Sequence, residues 1–430
     1  MPASVDSKNL LIVDECLRDR LGHHAGFVTG LAELGASAGM AVEVWAHQAA
    51  QPGLLAIQAT VKSVFPDCWI DRWWRVNRWR RSWDWGIHNL GFLRTMLKTG
   101  RGGPAWEIVI GSDVNIMHLV AWRLWLWRSP PQTRLYLFLI QPPWLLKFSP
   151  QSHKMELNAQ AWLYRIAIRL FKTAVRDGRC RFASDSSDVA RLIETYGGGE
   201  TPTMRIPRDN RFMIATSSPP PNPAQGLRLG FLGRPTSDRG FGELVEAIEL
   251  WINEYAHGSS RLQFVVQWHD CHGANPDHLR RLRQLVQQAP KRVTIMDEPL
   301  DDANYARLIS SLHGGIIPSR RSEYFNRPSN VAQELMCAGR PLITTQSTLV
   351  ADRMQMWGAG LTCDETAAAL TAAILQFENQ YNRLATEAWA HRSLAKAQYS
   401  WDQFSRFLHL APPTHPDRVD QDIERSACPA

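Results

Sequence analysis

Two short stretches of this 430-residue chain carry residue types suited to holding an anion and a diol. The first is Asn326-Arg-Pro-Ser-Asn-Val-Ala-Gln-Glu334, a polar loop running into a helix. A helix N-terminus offers unpaired backbone N–H groups and the positive end of the helix dipole, and both attract phosphate. Glu334, about one turn inside, has a carboxylate able to accept hydrogen bonds from two neighbouring sugar hydroxyls. Gly339-Arg-Pro341 stops the helix, and Pro-Leu-Ile-Thr-Thr345 supplies a short β-rich run. Taken alone, the segment reads equally as an ordinary helix-loop-strand unit of an α/β protein. The second stretch is Gly233-Arg-Pro-Thr-Ser-Asp-Arg-Gly240, between an apolar run and the helix predicted over 241–255. Arg234 and Arg239 beside exposed amides form a diphosphate clamp, because guanidinium groups bind phosphate oxygens bidentately and keep their charge. The plain alternative is two arginines on a solvated turn.

Stepping outward, the elements that must position these loops repeat a strand-loop-helix alternation. Leu10-Leu-Ile-Val-Asp14 is a short strand ending in an acid, Gly22-His-His-Ala-Gly26 opens a helix, and Ala41-Val-Glu-Val-Trp-Ala46 is the next strand. Trp106-Glu-Ile-Val-Ile-Gly-Ser-Asp113 repeats the pattern, followed by a helix from about Asn115 to Arg128 and a strand over 134–140. This is the opening of a doubly wound parallel sheet, whose ligands sit at the carboxyl ends of strands. Ser217-Ser-Pro-Pro-Pro-Asn-Pro223 can continue neither a helix nor a central strand. The expected organisation is therefore a first α/β domain over 1–210, a Pro-rich linker over 211–226 and a second α/β domain over 227–390. A terminal helical segment over 391–411 and a frayed tail over 412–430 follow.

Composition narrows the class. Hydrophobic residues make up 44% and charged residues 21%, ordinary globular values. The net charge of +7 favours anionic partners. The seven cysteines form no Cys-x-x-Cys pair, which argues against a disulfide framework or a structural zinc site. Neither a signal peptide nor a spanning segment is legible, so a cytoplasmic location is expected.

Together the motifs resemble those of the GT-B fold glycosyltransferases, most closely glycosyltransferase family 4, over nearly the whole chain. Gly233-Arg234 with Arg239-Gly240 is similar to the family's Gly-Arg and Lys-Gly loop, with arginine replacing lysine. Ser329-Asn-Val-Ala-Gln-Glu334 with Gly339-Arg-Pro341 is similar to the second half of its Glu-x7-Glu donor motif. Tyr399-Ser-Trp-Asp402 looks like the helix that crosses back to the first domain. The Gly22-His23 loop resembles the glycine-rich loop of the acceptor domain, and Ala183-Ser-Asp185 to Tyr196-Gly197 resembles its serine-strand, helix, glycine element.

The resemblance implies two Rossmann-like domains across a cleft and transfer of a sugar from a nucleotide-sugar with retention at the anomeric carbon. It implies no cofactor and no required metal. Arg234 and Arg239 would neutralise the donor diphosphate. Gly233, Ser329 and Asn330 would line the phosphates, and Glu334 would hold the ribose. Gly22, His23, Asp113 and Gln141 would lie on the acceptor side. The implied setting is surface polysaccharide or glycolipid assembly, with a glycan or lipid-linked acceptor.

Two departures stand out. The first acid of the donor motif belongs eight residues before Glu334, where this chain has Asn326, while Glu323 lies three residues earlier. Either could serve, with register favouring Asn326. A protein that binds a nucleotide-sugar or glycan without transferring it is the corresponding alternative. The second departure is Gln141-Pro-Pro143, where many relatives carry a histidine. His23, His118 and His153 remain acid-base candidates, although a structural role suits the last two better.

Between Trp69 and Trp85 six tryptophans alternate with five arginines. Such a segment can pack its rings into the first domain, lie at the inner face of the plasma membrane as a peripheral anchor, or stack on glycan or bases. A nucleic-acid partner is set aside because it leaves the second domain's motifs unexplained. Trp122, Trp125 and Trp127 are expected in the core, with Arg123 reaching out to solvent.

Overall fold

The computed structural model describes residues 8–19, 23–51, 53–55, 59–68, 81–99, 105–112, 114, 118–139, 146–149, 154–157, 161–208, 210–255, 260–268 and 273–410. The Trp/Arg segment over 69–80, Gly22, Asp113, Gln141, His153 and the tail from 412 lie outside the described residues.

Two six-stranded parallel sheets organise the chain. The first contains β1 (Asn9–Asp14), β2 (Ala41–His47), β3 (Thr60–Phe65), β4 (Ile108–Gly111), β5 (Arg134–Leu139) and β8 (Cys180–Ser184), in the order β3-β2-β1-β4-β5-β8. The second contains β9 (Leu227–Leu232), β10 (Leu262–Gln267), β11 (Val293–Met296), β12 (Gly314–Ile317), β13 (Leu342–Thr345) and β14 (Gly360–Cys363), in the order β11-β10-β9-β12-β13-β14. A short antiparallel ribbon, β6 (Leu146–Ser149) with β7 (Lys154–Leu157), stands apart.

The continuous apolar run of β1 follows from burial on both faces. Leu11 and Val13 enter one core with Trp122 and Phe182, while Leu10 and Ile12 enter the opposite core with Phe27 and Leu31. The alternation is the two-residue period of a strand. Strand order reverses between β1 and β4 in the first sheet, and between β9 and β12 in the second. These reversals open crevices at the carboxyl ends of the strands.

The segment joining the two sheets is more structured than its proline content suggests. Asn210–Ala215 is a short helix, and Met213 is buried in the second domain's core with Ile309 and Leu342. Arg340, fully buried, donates to the carbonyls of Ala338, Ser310 and Ser218 at 2.8, 3.0 and 3.2 Å, tying this segment to the second domain. Burial pushes its guanidinium down to about 10. This arginine of the Gly-Arg-Pro turn is thus a scaffold residue.

The long helix Ala367–Gln398 packs on the second sheet, breaks at Tyr399-Ser400 and restarts as Trp401–Phe407. The break lies inside the stretch read from sequence as helical. Ser400 is extended, and the carbonyl of Tyr399 accepts the Arg208 N–H at 3.0 Å. The restarted helix crosses to the first domain. Trp401 stacks on Phe27 at 5.9 Å, and Phe404 meets Phe27 and Phe138 edge-on at 5.4 and 5.3 Å.

The expectation for the second Trp cluster holds in part. Trp122 and Trp125 are buried, but Trp127 is 69% exposed on the far face of the helix Leu119–Arg128. Arg123 caps the Leu170 carbonyl at 2.7 Å. Among the described residues, no helix is long and apolar enough to cross a membrane.

The crossover depends on Gly30, where an added Cβ would fall inside the Trp401 indole. Gly30→Ala is expected to cost about 1–3 kcal/mol through overpacking, and Trp401→Ala about 3–5 kcal/mol through the lost ring. The double variant should cost less than the sum, since removing the indole removes the clash. Full additivity in chemical unfolding would show that the two residues do not touch.

Candidate donor and acceptor sites

The Gly233–Gly240 loop and the loop before helix Asn330–Cys337 leave neighbouring strands β9 and β12 at their carboxyl ends. They are also tied directly. The Arg320 N–H donates to the Asp238 carbonyl at 2.9 Å, its guanidinium donates to Glu243 at 2.8 Å, and Arg327 donates to Asp238 Oδ2 at 3.3 Å. A narrow cleft lies between them, and Arg239, Ser319, Tyr324 and Ser329 are among its lining residues. Two stretches about ninety residues apart in sequence thus share one crevice at the sheet's reversal point.

Gly233 has φ +114°, and its missing side chain leaves room for the Arg239 guanidinium, which a Cβ there would strike. Arg234, on the same turn, is half-buried. Ser329 is the N-cap of Asn330–Cys337, its Oγ accepting from the Ala332 N–H at 3.3 Å. The amides of Asn330 and Val331 come before the first intrahelical bond and carry the open donors of the helix start. A third arginine joins them: Arg327 lies 4.9 Å over the Tyr324 ring. Burial opposes its charge, but Tyr324, Asp238 and Glu323 outweigh burial and hold its pKa above the ordinary value.

The two residues competing for the first motif position separate in space. Glu323 is exposed on the four-residue helix Arg321–Tyr324. Asn326 is 8% exposed, and its Nδ2 is buried without a hydrogen-bond partner among the described residues. Asn330 Oδ1 is likewise buried and unpartnered. Such orphaned polar atoms are costly unless something else pairs with them.

Glu334 is held on two sides. Its Oε2 accepts from the Tyr305 hydroxyl at 2.8 Å, and its Oε1 is 3.4 Å from Arg208 Nη1. Arg208 also donates to Gln333 Oε1 at 3.0 Å. Burial pushes the Glu334 carboxyl above the ordinary range, against the pull of Arg208 and of the Tyr305 hydroxyl. Burial and the Glu334 charge in turn drive the Tyr305 phenol well upward, with Arg208 and Arg239 opposing. Neither Arg208 nor Tyr305 has a local signal in the sequence. Each reaches Glu334 only through the fold.

On the first domain, helix His23–Ser37 begins at the Gly22 loop. A histidine fixed at the strand end is His24, whose Nδ1 lies 3.0 Å from Asp14 Oδ2; the side chain of His23 lies outside the described residues. That oxygen also accepts from Ser112 Oγ at 2.8 Å, and Asp14 Oδ1 accepts the Cys16 N–H at 3.0 Å. Burial would raise the Asp14 pKa, but His24, Ser112 and the Cys16 amide together lower it. Asp14 is therefore an ionised anchor at the sheet's reversal point, holding His24 at the carboxyl end of the first sheet. His118, an acid-base candidate from the sequence, is instead fully packed, and burial lowers its pKa to about 4. It stays a neutral, enclosed imidazole.

The domains meet over a buried ion pair. Arg353, in helix Leu349–Trp357 after β13, donates to the Asp185 carbonyl and to its Oδ1 at 2.6 and 2.7 Å. Asp185 directly follows β8, so the carboxyl end of the first sheet meets the carboxyl-end helix of the second. Arg205 lies 4.2 Å over Trp357 on the same seam.

Two doubly wound sheets, a cleft at the carboxyl ends of the second and a terminal helix returning to the first domain define one architecture. The fold is GT-B. The chain is similar over nearly its whole length to sucrose-phosphate synthase from Thermosynechococcus elongatus, at a TM-score of 0.65 and 15% identity, covering 94% of this chain and 97% of that one. HepE of Anabaena, solved in complex with UDP-glucose, is similar at a TM-score of 0.61 and 13% identity, covering 93% and 98%. The trehalose-6-phosphate synthase OtsA is similar at a TM-score of 0.61 and 14% identity, covering 94% and 100%. No protein-family model and no curated protein matches the chain. In the GT-B frame, the Gly233–Gly240 and Asn326–Glu334 loops both lie on the second domain, and Asp14 and His24 on the first.

The hydroxyl of Tyr305 stabilises the ionised form of Glu334. In Tyr305→Phe the Glu334 carboxyl is expected to titrate at still higher pH, as read by carbon NMR of labelled glutamate. An unmoved titration would exclude the 2.8 Å bond.

Proposed function

We propose that this chain is a retaining glycosyltransferase that moves a sugar from a nucleotide-sugar to a glycan or lipid-linked acceptor. The observation that carries this reading is the single cleft shared by Arg239, Ser329 and the Asn330 helix start. Arginine cations and first-turn amides stabilise a diphosphate most strongly as it departs with growing negative charge. Gly233 and Arg234, on the same turn as Arg239, are assigned to the same diphosphate. Glu334, with two lone-pair positions taken by Tyr305 and Arg208, keeps acceptor capacity for the ribose hydroxyls. The acceptor hydroxyl attacks from the same face as the leaving group, and His24, held by Asp14 on the first domain, is the side chain assigned to the acceptor side. Neither a cofactor nor a metal takes part in this transfer. UDP-glucose, present in the HepE structure, is the first donor to test.

Asn326 supports a second reading, binding without transfer, because a buried neutral amide stands where the motif has an acid. The basic-aromatic composition of Trp69–Trp85 favours a lipid-linked acceptor and peripheral work at the inner face of the plasma membrane in polysaccharide or glycolipid assembly. Sedimentation with anionic vesicles, lost when the five arginines of that segment are neutralised, is the expected result; unchanged sedimentation would remove the membrane part of the proposal.

Thermal shift against UDP-, GDP- and ADP-sugars should select one nucleotide. With that donor, Arg234→Ala, Arg239→Ala and Glu334→Ala are each expected to lower turnover at least tenfold, about 1.4 kcal/mol of transition-state stabilisation, without unfolding the chain. Wild-type rates in all three would sink the site assignment. A donor-induced shift with neither hydrolysis nor transfer across glycan and lipid acceptors would favour the second reading.

A further inference from the structure

Three buried side chains converge in the first domain on residues that the donor cleft does not use. Glu15 follows β1, His88 lies in helix Arg81–Thr99, and His118 immediately precedes helix Leu119–Arg128. Their exposures are 4%, 5% and 2%. The His88 Nε2 is 3.2 Å from Glu15 Oε1, the His118 Nε2 is 3.5 Å from the same oxygen, and the two nitrogens are 3.3 Å apart. The Phe92 ring stacks on His118 at 4.3 Å and holds the imidazole plane.

Hydrogen bonding alone accounts poorly for this triangle. Each Nε2 carries at most one proton, so at most two N–H donors serve the three close edges of the triangle. One edge must then set lone pair against lone pair, or N–H against N–H. A cation bound by all three atoms removes that conflict. Zinc bonded at about 2.0–2.1 Å in tetrahedral geometry places adjacent ligand atoms about 3.3–3.4 Å apart. The observed sides match one face of that tetrahedron. The donor set of two imidazole nitrogens and one carboxylate oxygen is also a zinc set.

We propose that Glu15, His88 and His118 bind one zinc ion, with water completing the coordination. The ion pins helix Arg81–Thr99 to the end of β1 and to the start of helix Leu119–Arg128, at the reversal point of the first sheet. It acts as a structural fastener, separate from the donor cleft and from sugar transfer. Composition hid it, because the ligands are scattered over about a hundred residues and include no cysteine.

The test uses the full chain, stripped with a chelator and titrated with Zn2+ and with Co2+ as a spectroscopic substitute. One equivalent of either metal per chain is expected, with the strong visible absorption of tetrahedral Co2+ and a higher thermal midpoint on reloading. His118→Gln and Glu15→Gln should each weaken binding at least tenfold. The Cys16 and Cys68 sulfurs, 2.7 Å apart and close in sequence to the cluster, are the natural competing binder, so Cys16→Ser/Cys68→Ser should leave the titration unchanged. Failure of the wild-type chain to take up either metal at tens of micromolar overturns the proposal, whatever the variants do. So does uptake that survives His118→Gln or disappears in the double-serine chain.

Discussion

The arrangement of both sites depends on the seam where the two domains are joined. Its apolar part is the Trp401 and Phe404 rings set into the first domain's core, and its polar part is the Arg353–Asp185 ion pair. Asp185 is completely buried and Arg353 nearly so. Such a pair gains little net stability over an apolar contact of the same shape, but losing one partner leaves a stranded charge and costs about 3–5 kcal/mol. It therefore specifies relative orientation more than it adds stability. The proximity of Asp185 also raises the Arg353 pKa despite burial, which keeps the guanidinium charged. Arg208 bridges the same region, its backbone bonded to Tyr399 and its side chain to Gln333 and Glu334. One seam thus connects the crossover helix to the carboxylate assigned to the ribose.

The cleft in the second domain is organised by positive charge with limited internal compensation. Asp238 answers Arg327, and Glu243 answers Arg320. Arg239 lies across Gly233 at the pocket wall. Beside them, Asn326 Nδ2 and Asn330 Oδ1 are buried without partners among the described residues. Cations, helix-start amides and orphaned amide groups held together suit the anionic, hydroxyl-bearing ligand of the proposed function.

The strands and both anion-attracting loops were legible because each depends on short-range chemistry: apolar runs for buried strands, glycine and arginine for the turn, serine at a helix cap. Contacts between distant segments were not. Tyr305 and Arg208 reach Glu334 across 29 and 126 residues of chain, as read from their numbers, and nothing near either marks the encounter. His24 meets Asp14 across the strand-helix turn because helix phase, which begins only at the loop's end, decides which ring faces the strand. The short helix Asn210–Ala215 inside a proline-rich joint forms because Met213 has a core to enter, a tertiary reward invisible to local propensity.

In the proposed function, the neutral residue at position 326 would change what the donor site can recognise. A carboxylate accepts only, so a glutamate there would demand donated hydroxyl protons and bind them with charge-assisted bonds roughly twice as strong as neutral ones. An amide both donates and accepts, and its buried Nδ2 has a proton to give. A sugar oxygen that accepts is therefore needed to satisfy it. Desolvating a glutamate at 8% exposure would be expensive, with the adjacent Arg327 already matched by Asp238. Glu323 avoids that cost by remaining exposed, where its charge helps to keep Arg327 ionised but where water weakens any hold on a sugar. In the proposed function, Asn326 would thus exchange bond strength for a different polarity of recognition, and a suitable donor would present an acceptor oxygen at that point.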